Sequence, residues 1–206
     1  MSQLLVLHAV RVIGFAEMPA LARRFGLEQS VTAELLADAR ASGWVSYSSF
    51  ADLGGWSLTE RGRAENERLL GEELEQRGVR GLVEAIHEDF LPLNGRLQRA
   101  CTNWQLRQVA GDRLATNDHT DAVWDADVLA EFAALADALG PLEVRLVDAL
   151  PRFHGYDTRF RAALARARAG EVGWVDRTDV DSCHRVWFEL HEDLVATLGI
   201  DRRSQA

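Results

Sequence analysis

The chain has 206 residues, 47% of them hydrophobic and 27% charged, a balance that is typical of a globular protein and excludes a long disordered polypeptide. Its formal net charge is −9, and because it contains no lysine, every permanently positive side chain is an arginine. At this length the chain can form one large domain or two small ones, each with its own hydrophobic core.

No stretch of the sequence has the length and apolar character of a membrane span, since His8 and Arg11 interrupt the first candidate. We see no basic start followed by a cleavage site, so we expect no secretory signal. The two cysteines, Cys101 and Cys183, lack the spacing of metal ligands and do not indicate a disulfide framework. These features predict a cytoplasmic protein that does not contact a membrane.

Two short helices are predicted at the start of the chain. Apolar side chains recur at helical spacing from Leu4 to Ile13, and this first helix ends near Gly14. A second helix covers Glu17 to Phe25, with Pro19 tolerated in its first turn. The dipeptide Gly26-Leu27 then provides a tight turn into a third helix.

The third helix ends at Gly43, because glycine accepts the left-handed conformation that terminates helices. Val31, Leu35 and Ala39 recur at helical spacing, so we expect them to face the core. The outer face near the start of this helix then carries Gln29, Ser30, Thr32 and Ala33.

A β-hairpin is predicted directly after the third helix. Val45–Ser48 and Gly55–Leu58 can pair as two short strands around the tip at residues 50–55. Thr59 is suited to cap a fourth helix, which continues to Gly78. Three helices followed by a short hairpin wing and another helix are the elements of a winged helix-turn-helix.

Residues 3–70 resemble the winged-helix domain of MarR-like bacterial transcriptional regulators. Three segments carry the resemblance: Leu21–Leu27, Leu35–Val45 and the hairpin-closing sequence Leu58-Thr-Glu-Arg-Gly62. The chain departs from that family in its wing, because the segment from Ser46 to Trp56 contains no arginine or lysine for the minor groove.

The resemblance implies a transcriptional regulator that binds a double-stranded DNA operator with its third helix in the major groove. The side chains nearest the base edges are then Gln29, Ser30, Thr32 and Ala33. The candidate phosphate contacts are Arg23, Arg24, Arg40, Arg61 and Arg63.

The charge of this first domain is nearly neutral. Up to Leu58 it has four arginines against five carboxylates, whereas phosphate binding favours a basic surface. The alternative is therefore a protein-interaction module, that is, a non-DNA-binding adaptor whose winged helix contacts a partner enzyme.

We divide the chain into a winged-helix DNA-binding domain of residues 1–78 and an all-helical effector and dimerisation domain of residues 79–206. In the second domain, a long amphipathic helix covers Val83 to Arg107 and should kink at Pro92. A polar loop from Gly111 to Trp124 follows it. Four further helices are predicted at Asp125–Leu139, Pro141–Leu150, Asp157–Ala169 and Asp181–Leu198, with Asp157 and Ser182 as caps.

The last helix carries His184, Trp187 and His191 on one stripe, because they recur at threes and fours. Paired metal ligands on a helix are usually one turn apart, whereas these two histidines are two turns apart, so a metal-sensing regulator is the weaker alternative. Organic ligands favour aromatic walls with few polar groups, which predicts a pocket for a small organic effector.

The long helix contributes Asn94 on much the same face as Cys101 and Trp104. A buried asparagine needs partners for its amide, either in the kinked backbone or in a bound ligand, and both interpretations stay open. The residues predicted to line the effector pocket are Asn94, Cys101, Trp104, His184, Trp187 and His191.

A second resemblance extends over nearly the whole chain. The segments Phe90–Asn94, Thr102–Arg107, Asn117–His119 and Trp187–Leu194 are similar to a helical extension found behind winged helices in bacterial regulators. A similar unit is attached to some phosphoenolpyruvate-utilising dikinases, which makes an adaptor role for the winged helix credible.

Signatures of catalysis are missing from the sequence. It has no Gly-rich phosphate loop, no Gly-x-Ser-x-Gly turn and no cysteine–histidine spacing typical of a nucleophile pair. We therefore expect no enzyme and no cofactor. The overall prediction is a homodimeric, ligand-responsive regulator whose effector shifts the spacing of two DNA-reading helices.

Overall fold

The computed structural model describes residues 2–51, 53–107 and 114–200, and this part of the chain is mainly helical. Its α-helices are α1 (Ser2–Ile13), α2 (Met18–Arg24), α3 (Gln29–Ala41), α4 (Glu60–Arg77), α5 (Arg80–Gln105), α6 (Ala122–Ala149), α7 (Tyr156–Arg168) and α8 (Cys183–Leu198). Its strands β1 (Val45–Phe50) and β2 (Leu53–Leu58) form a two-stranded antiparallel sheet. None of the helices described combines the length and the apolar character needed to cross a membrane.

The chain divides into two compact units. The first contains residues up to Gly81 together with those from Glu189 onwards, and the second contains Leu82–Phe188. The boundary near Gly81 lies close to the predicted one after residue 78. The division also differs from the prediction, because it groups the later part of α8 with the first four helices.

The core of the first unit is built around α1, whose Val6 and Leu7 are fully buried against Leu21 of α2 and Leu36 of α3. The inward face of α3 differs from the predicted one. Thr32 is fully buried, whereas Val31, expected in the core, is 43% exposed. The helix is therefore rotated by about one position from the orientation that its apolar residues suggest.

Thr32 can occupy the core because its hydroxyl is satisfied locally. The Oγ1 atom donates a hydrogen bond to the carbonyl of Glu28, at 2.9 Å, so no polar group of Thr32 is left without a partner. Leu36 and Ala39 complete the inward stripe at helical spacing. The prediction that Thr32 lies on the outer face is wrong.

The predicted pairing of the hairpin is confirmed. Val45 lies opposite Leu58, and the ladder continues to the tip, where Phe50 lies opposite Leu53. Ala16, in the segment after α1, adds two backbone hydrogen bonds to Trp56, at 2.8 and 3.3 Å. This bridge attaches β2 to the chain between α1 and α2.

The sequence from Leu58 to Gly62 closes the hairpin for a steric and a polar reason. Thr59 accepts a hydrogen bond from the Gly62 N–H, at 3.0 Å, and its hydroxyl donates to the Gly43 carbonyl, at 2.7 Å. A Cβ atom on Gly62 would lie 1.8 Å from the Trp44 carbonyl oxygen. Only glycine allows the first turn of α4 to pack this closely on Trp44, in the turn between α3 and β1.

The second unit is centred on Trp187, which is buried between two phenylalanine rings. The indole centroid lies 5.1 Å from that of Phe90 in α5 and 5.6 Å from that of Phe160 in α7. Its N–H donates to the Oδ1 atom of Asn94, at 3.1 Å. The amide of Asn94 is therefore engaged by the indole, which supports the structural interpretation of this residue.

The predicted helix break before Pro141 is wrong, because α6 continues through this residue. Proline lacks the N–H that would bond the Asp137 carbonyl one turn earlier. Arg161 of α7 reaches this point, and its Nη2 donates to the Ala136 carbonyl at 2.7 Å. It also binds the carboxylates of Asp137 and Asp157, so α7 supports α6 where its own hydrogen bonding is interrupted.

The two predicted helix caps have different outcomes. Ser182 is confirmed, since its Oγ accepts a hydrogen bond from the Arg185 N–H at 3.2 Å. Asp157 is not the cap of α7, which begins after Gly155. The buried carboxylate of Glu143 accepts from the Gly155 N–H, at 2.6 Å, and from the Asp157 N–H, and so stabilises the positive end of α7.

We expect Gly62→Ala to destabilise the first unit strongly, because the new methyl group would overlap the Trp44 carbonyl. Gly71→Ala is the matched control, since it lies on the same helix with nothing within 4 Å of the added Cβ. It should stabilise the protein by up to about 1 kcal/mol. Urea unfolding of both variants measures the difference, and equal effects would contradict the close packing of Gly62 on the Trp44 carbonyl.

Candidate nucleic-acid interface

The first turn of α3 presents three of the four predicted base-contact residues to solvent. Gln29, Ser30 and Ala33 are all exposed. Thr32 is the exception, because its side chain is buried and its hydroxyl is bonded to the helix backbone. Its assignment to base recognition is therefore corrected, and the possible reading surface consists of the other three side chains.

Four of the five predicted phosphate contacts are exposed and form no ion pair within the described part of the chain: Arg23, Arg40, Arg61 and Arg63. Partial burial, and the neighbouring Arg11 guanidinium, lower the pKa of Arg63 from its ordinary value.

The fifth predicted contact, Arg24, is used inside the first unit. Its side chain is only 3% exposed, and its Nε atom lies 3.7 Å from the Glu189 carboxylate of α8. Its guanidinium also lies 4.6 Å from the centre of the Phe25 ring. A guanidinium enclosed in this way is not accessible to a phosphate, so the predicted phosphate contact of Arg24 is wrong.

The hairpin has an apolar surface. Phe50 and Leu53 at its tip are 87% and 72% exposed, and Tyr47 and Phe15 are about half exposed. No arginine occurs between Ser46 and Trp56. The hairpin therefore has no basic side chain with which to enter a minor groove, and its chemistry suits contact with another apolar surface.

A buried acid–base network joins α8 to the first helices of the same unit. His8 of α1 and Asp193 of α8 are both fully buried, with His8 Nε2 2.8 Å from Asp193 Oδ1. Next to them, the Nε of Arg11 donates to Glu192 at 2.5 Å, and its Nη1 donates to Glu67 at 3.0 Å. Because Arg24 meets Glu189, three acidic residues of α8 each face a basic residue of α1 or α2.

The ring of His8 has oxygen atoms at both nitrogens. Its Nδ1 lies 3.4 Å from the Oδ1 of Asn66, on the side opposite Asp193. Both ring nitrogens of this buried histidine therefore have a polar partner. Thr197 donates a further hydrogen bond to Asp193 at 3.2 Å, so the carboxylate is also well satisfied.

The residues predicted for an effector pocket are distributed over separate surroundings. Asn94 and Trp187 bind each other, and Cys101 and Trp104 are buried on α5. His184 is exposed, and His191 falls in the first unit, beyond the boundary at Phe188. Within residues 2–51, 53–107 and 114–200, no three histidine, cysteine or carboxylate side chains are grouped to hold a metal ion.

The polar loop before α6 is held by Asn117, although residues 111–113 at its start lie outside the described part of the chain. The Nδ2 of Asn117 donates to the Trp104 carbonyl, at 3.0 Å, and to Asp125, at 2.9 Å. His119 binds the same carboxylate at 2.9 Å, and its ring centre lies 4.5 Å from that of Trp104. Asn117 and His119, from one segment of the second resemblance, thus contact Trp104, which was predicted to line the effector pocket.

An open groove between α5 and α6 was missed in the sequence. It encloses about 330 Å³, and its charged lining consists of Arg96, Arg99, Asp127 and Glu131. The spacing of these residues is a signal that could have revealed it, because positions 96 and 99 share one face of a helix, as do positions 127 and 131.

Comparisons with known proteins do not add an identity to these observations. The chain matches no known family, no curated protein and no solved structure. The similarity to MarR-like regulators therefore stays a prediction carried by the segments Leu21–Leu27, Leu35–Val45 and Leu58–Gly62, and function has to be argued from the geometry.

We expect Asp193→Ala to cost about 3–5 kcal/mol of stability, because it leaves a buried imidazole without its carboxylate. The control is Asp179→Ala, which removes an exposed pair with Arg177 and should have a small effect. The double variant His8→Leu/Asp193→Leu should recover much of the loss, since it removes both buried polar side chains. Similar denaturation midpoints for Asp193→Ala and Asp179→Ala would contradict this role of the network.

The buried thiols provide a second test. Desolvation raises the pKa of Cys101 and of Cys183 to about 12 in each case. The reactive thiolate is therefore scarce in the folded protein, and both cysteines should react with iodoacetamide only after denaturation. Rapid native-state labelling of Cys101, measured by mass spectrometry, would show an accessible thiol and revive its assignment to a pocket.

Proposed function

We propose that this protein is a DNA-binding transcriptional regulator, not an enzyme, and that its first unit is a winged helix-turn-helix. The support begins with the order of elements, in which α1, α2 and α3 precede a hairpin and α4. The hairpin would be the wing, and α3 would be the helix that enters the major groove.

The observation that carries this proposal is the division of arginines within the first unit. Arg11 and Arg24 are bound to carboxylates of the unit itself. Arg23, Arg40 and Arg61 are exposed and form no ion pair with any described residue. Phosphate contact needs guanidinium groups that are not already neutralised, and these residues satisfy that need in spite of the acidic composition.

The position of Arg61 relates it to the proposed reading helix. Its Nη1 atom lies 3.5 Å from the place that a Cβ on Gly43 would occupy, just beyond the end of α3. Arg40 belongs to the last turn of α3 itself. Phosphate contacts from these two residues would fix the orientation of α3 on the duplex without reading its sequence.

Sequence would be read by the exposed first turn of α3. Gln29 has an amide that can bind both N6 and N7 of adenine, and the methyl group of Ala33 can contact the methyl group of thymine. Ser30 can donate to or accept from a base edge or a phosphate oxygen. In this proposal, the protein acts in the cytoplasm as a homodimer, with two such helices about 34 Å apart on a palindromic operator.

We further propose that the helical second unit supplies dimerisation and binds a small organic effector. An effector can regulate only if its affinity differs between the DNA-binding and non-binding states of the protein. The groove on this unit, with its charged lining, gives a concrete candidate for the effector site.

Gel-shift assays on DNA upstream of the protein's own gene should show a complex that weakens steeply with salt. Arg40→Ala and Arg61→Ala should each lower affinity and reduce the salt slope by about one. Arg68→Ala is the matched control on α4, because this exposed arginine already binds Glu65 and Glu72. Gln29→Ala should change sequence preference while keeping the salt slope.

The opposing outcome is clear in the same assay. If Arg68→Ala weakens binding as much as Arg61→Ala, the uncommitted arginines have no special role. If no sequence-dependent complex forms at low salt, DNA binding is excluded as the function of the first unit.

A second candidate, an adaptor that binds a partner protein, is favoured by the hairpin tip. Phe50 and Leu53 expose apolar surface that no described residue covers, and the hairpin carries no basic side chain between Ser46 and Trp56. If the protein is an adaptor, Phe50→Ser should abolish its binding to the partner protein. If it is a transcriptional regulator, the same substitution should leave the contacts of α3 with DNA intact.

A further inference from the structure

We propose that the groove between α5 and α6 binds a small amphoteric organic molecule, which carries a carboxylate and a protonated amine on an apolar body. The lining of the groove alone supports this proposal. It is independent of whether the first unit binds DNA.

The groove has an apolar wall. Ala100 of α5 and Val128 of α6 are buried at its lining, and the indole of Trp124 lies beside them. The Nε1 of Trp124 donates to the Asn103 carbonyl at 2.8 Å. Because its only polar atom is already bonded, the indole offers carbon surface to a ligand and no hydrogen-bond donor.

Two of the four charged side chains neutralise each other. Arg96 binds Glu131 through two nitrogens, at 2.8 and 3.2 Å. Its hydrogen bond, and more weakly the nearby Arg99, hold the pKa of Glu131 below its ordinary value. A ligand would have to break this bidentate pair to use either partner, which makes both poor candidates for ligand binding.

The remaining two charges are uncommitted. Arg99 and Asp127 also line the groove, and neither forms an ion pair or hydrogen bond with any residue that the structure describes. A simple anion would be attracted by Arg99 and repelled by Asp127, and a simple cation would experience the reverse. A molecule with both charges satisfies both side chains.

The volume of the groove limits the size of the ligand that it can hold. The volume of about 330 Å³ is at the lower end of the roughly 300–1,000 Å³ that small-molecule sites span, which suits a ligand as small as an amino acid. Its carboxylate would meet the forked guanidinium of Arg99, its ammonium group would meet Asp127, and its apolar part would lie against Trp124.

The test uses matched probes with one apolar body: L-phenylalanine, L-phenylalaninamide and 3-phenylpropionate. Calorimetry in a mildly acidic buffer keeps the amines protonated. The zwitterion should bind about tenfold more tightly than either relative, since each relative lacks one charge-assisted contact. L-leucine and L-tryptophan, each with its amide and its deaminated acid, extend the test to other apolar bodies.

Two variants assign the contacts. Arg99→Gln should remove the preference for phenylalanine over its amide, and Asp127→Asn should remove the preference for phenylalanine over 3-phenylpropionate. The controls are Arg168→Gln on α7 and Asp148→Asn on α6, two exposed charges outside the groove lining. Both controls should preserve the two preferences.

The proposal is overturned if none of the three amino acids binds saturably, or if the acid or the amide binds as tightly as its parent. It is also overturned if the control variants change the preferences as much as Arg99→Gln and Asp127→Asn do. All measurements are made on the full chain without DNA, so they separate this inference from the proposed regulator function.

Discussion

The first unit depends on a buried match of charge between α8 and the helices that begin the chain. His8, Arg11 and Arg24 face Asp193, Glu192 and Glu189, respectively. Charged and polar groups lose their hydration when they are buried, so each needs an oppositely charged or hydrogen-bonding partner nearby. A rotation of α8 would leave three carboxylates in an apolar interior without partners. The network therefore specifies how α8 lies on its own unit, beyond what apolar packing alone would require.

This network also determines which arginines of the first unit remain accessible to a phosphate. Arg24 looked equivalent to Arg23 in sequence, but its guanidinium is enclosed and lies near Glu189, whereas Arg23 is exposed. A net charge of −9 argues against DNA binding only if all charges are equally accessible. In the first unit, carboxylates of α8 are themselves buried against basic partners, so the accessible surface differs from the composition. The physical basis of the proposed nucleic-acid contact is the set of exposed arginines that pair with no described residue, Arg23, Arg40 and Arg61.

In the second unit, too, buried polar side chains have partners within the protein. The amide of Asn94 is engaged by the indole of Trp187, and Glu143 stabilises the first turn of α7. Asn94 was predicted to line a ligand pocket, and Glu143 was given no role in the sequence analysis. In the structure, both satisfy hydrogen-bonding groups inside the protein. The groove beside Arg99 and Asp127 is different, since neither side chain forms an ion pair or hydrogen bond with any residue that the structure describes. In both units, the candidate sites are therefore distinguished from structural contacts by charged side chains that form no ion pair or hydrogen bond with any described residue.

The sequence by itself determined the local features: the mainly helical content, the hairpin register and the Thr59–Gly62 closure. Each is indicated by a local sequence pattern, through backbone preferences, capping and alternation. Only the tertiary structure decided the burial of Thr32, the continuity of α6 through Pro141 and the pairing of Arg24 with α8. In each case, the controlling partner is distant in sequence or the competing orientations differ by one helical position. Periodicity cannot resolve such cases, because a hydroxyl bonded to its own backbone can replace an apolar residue in the core.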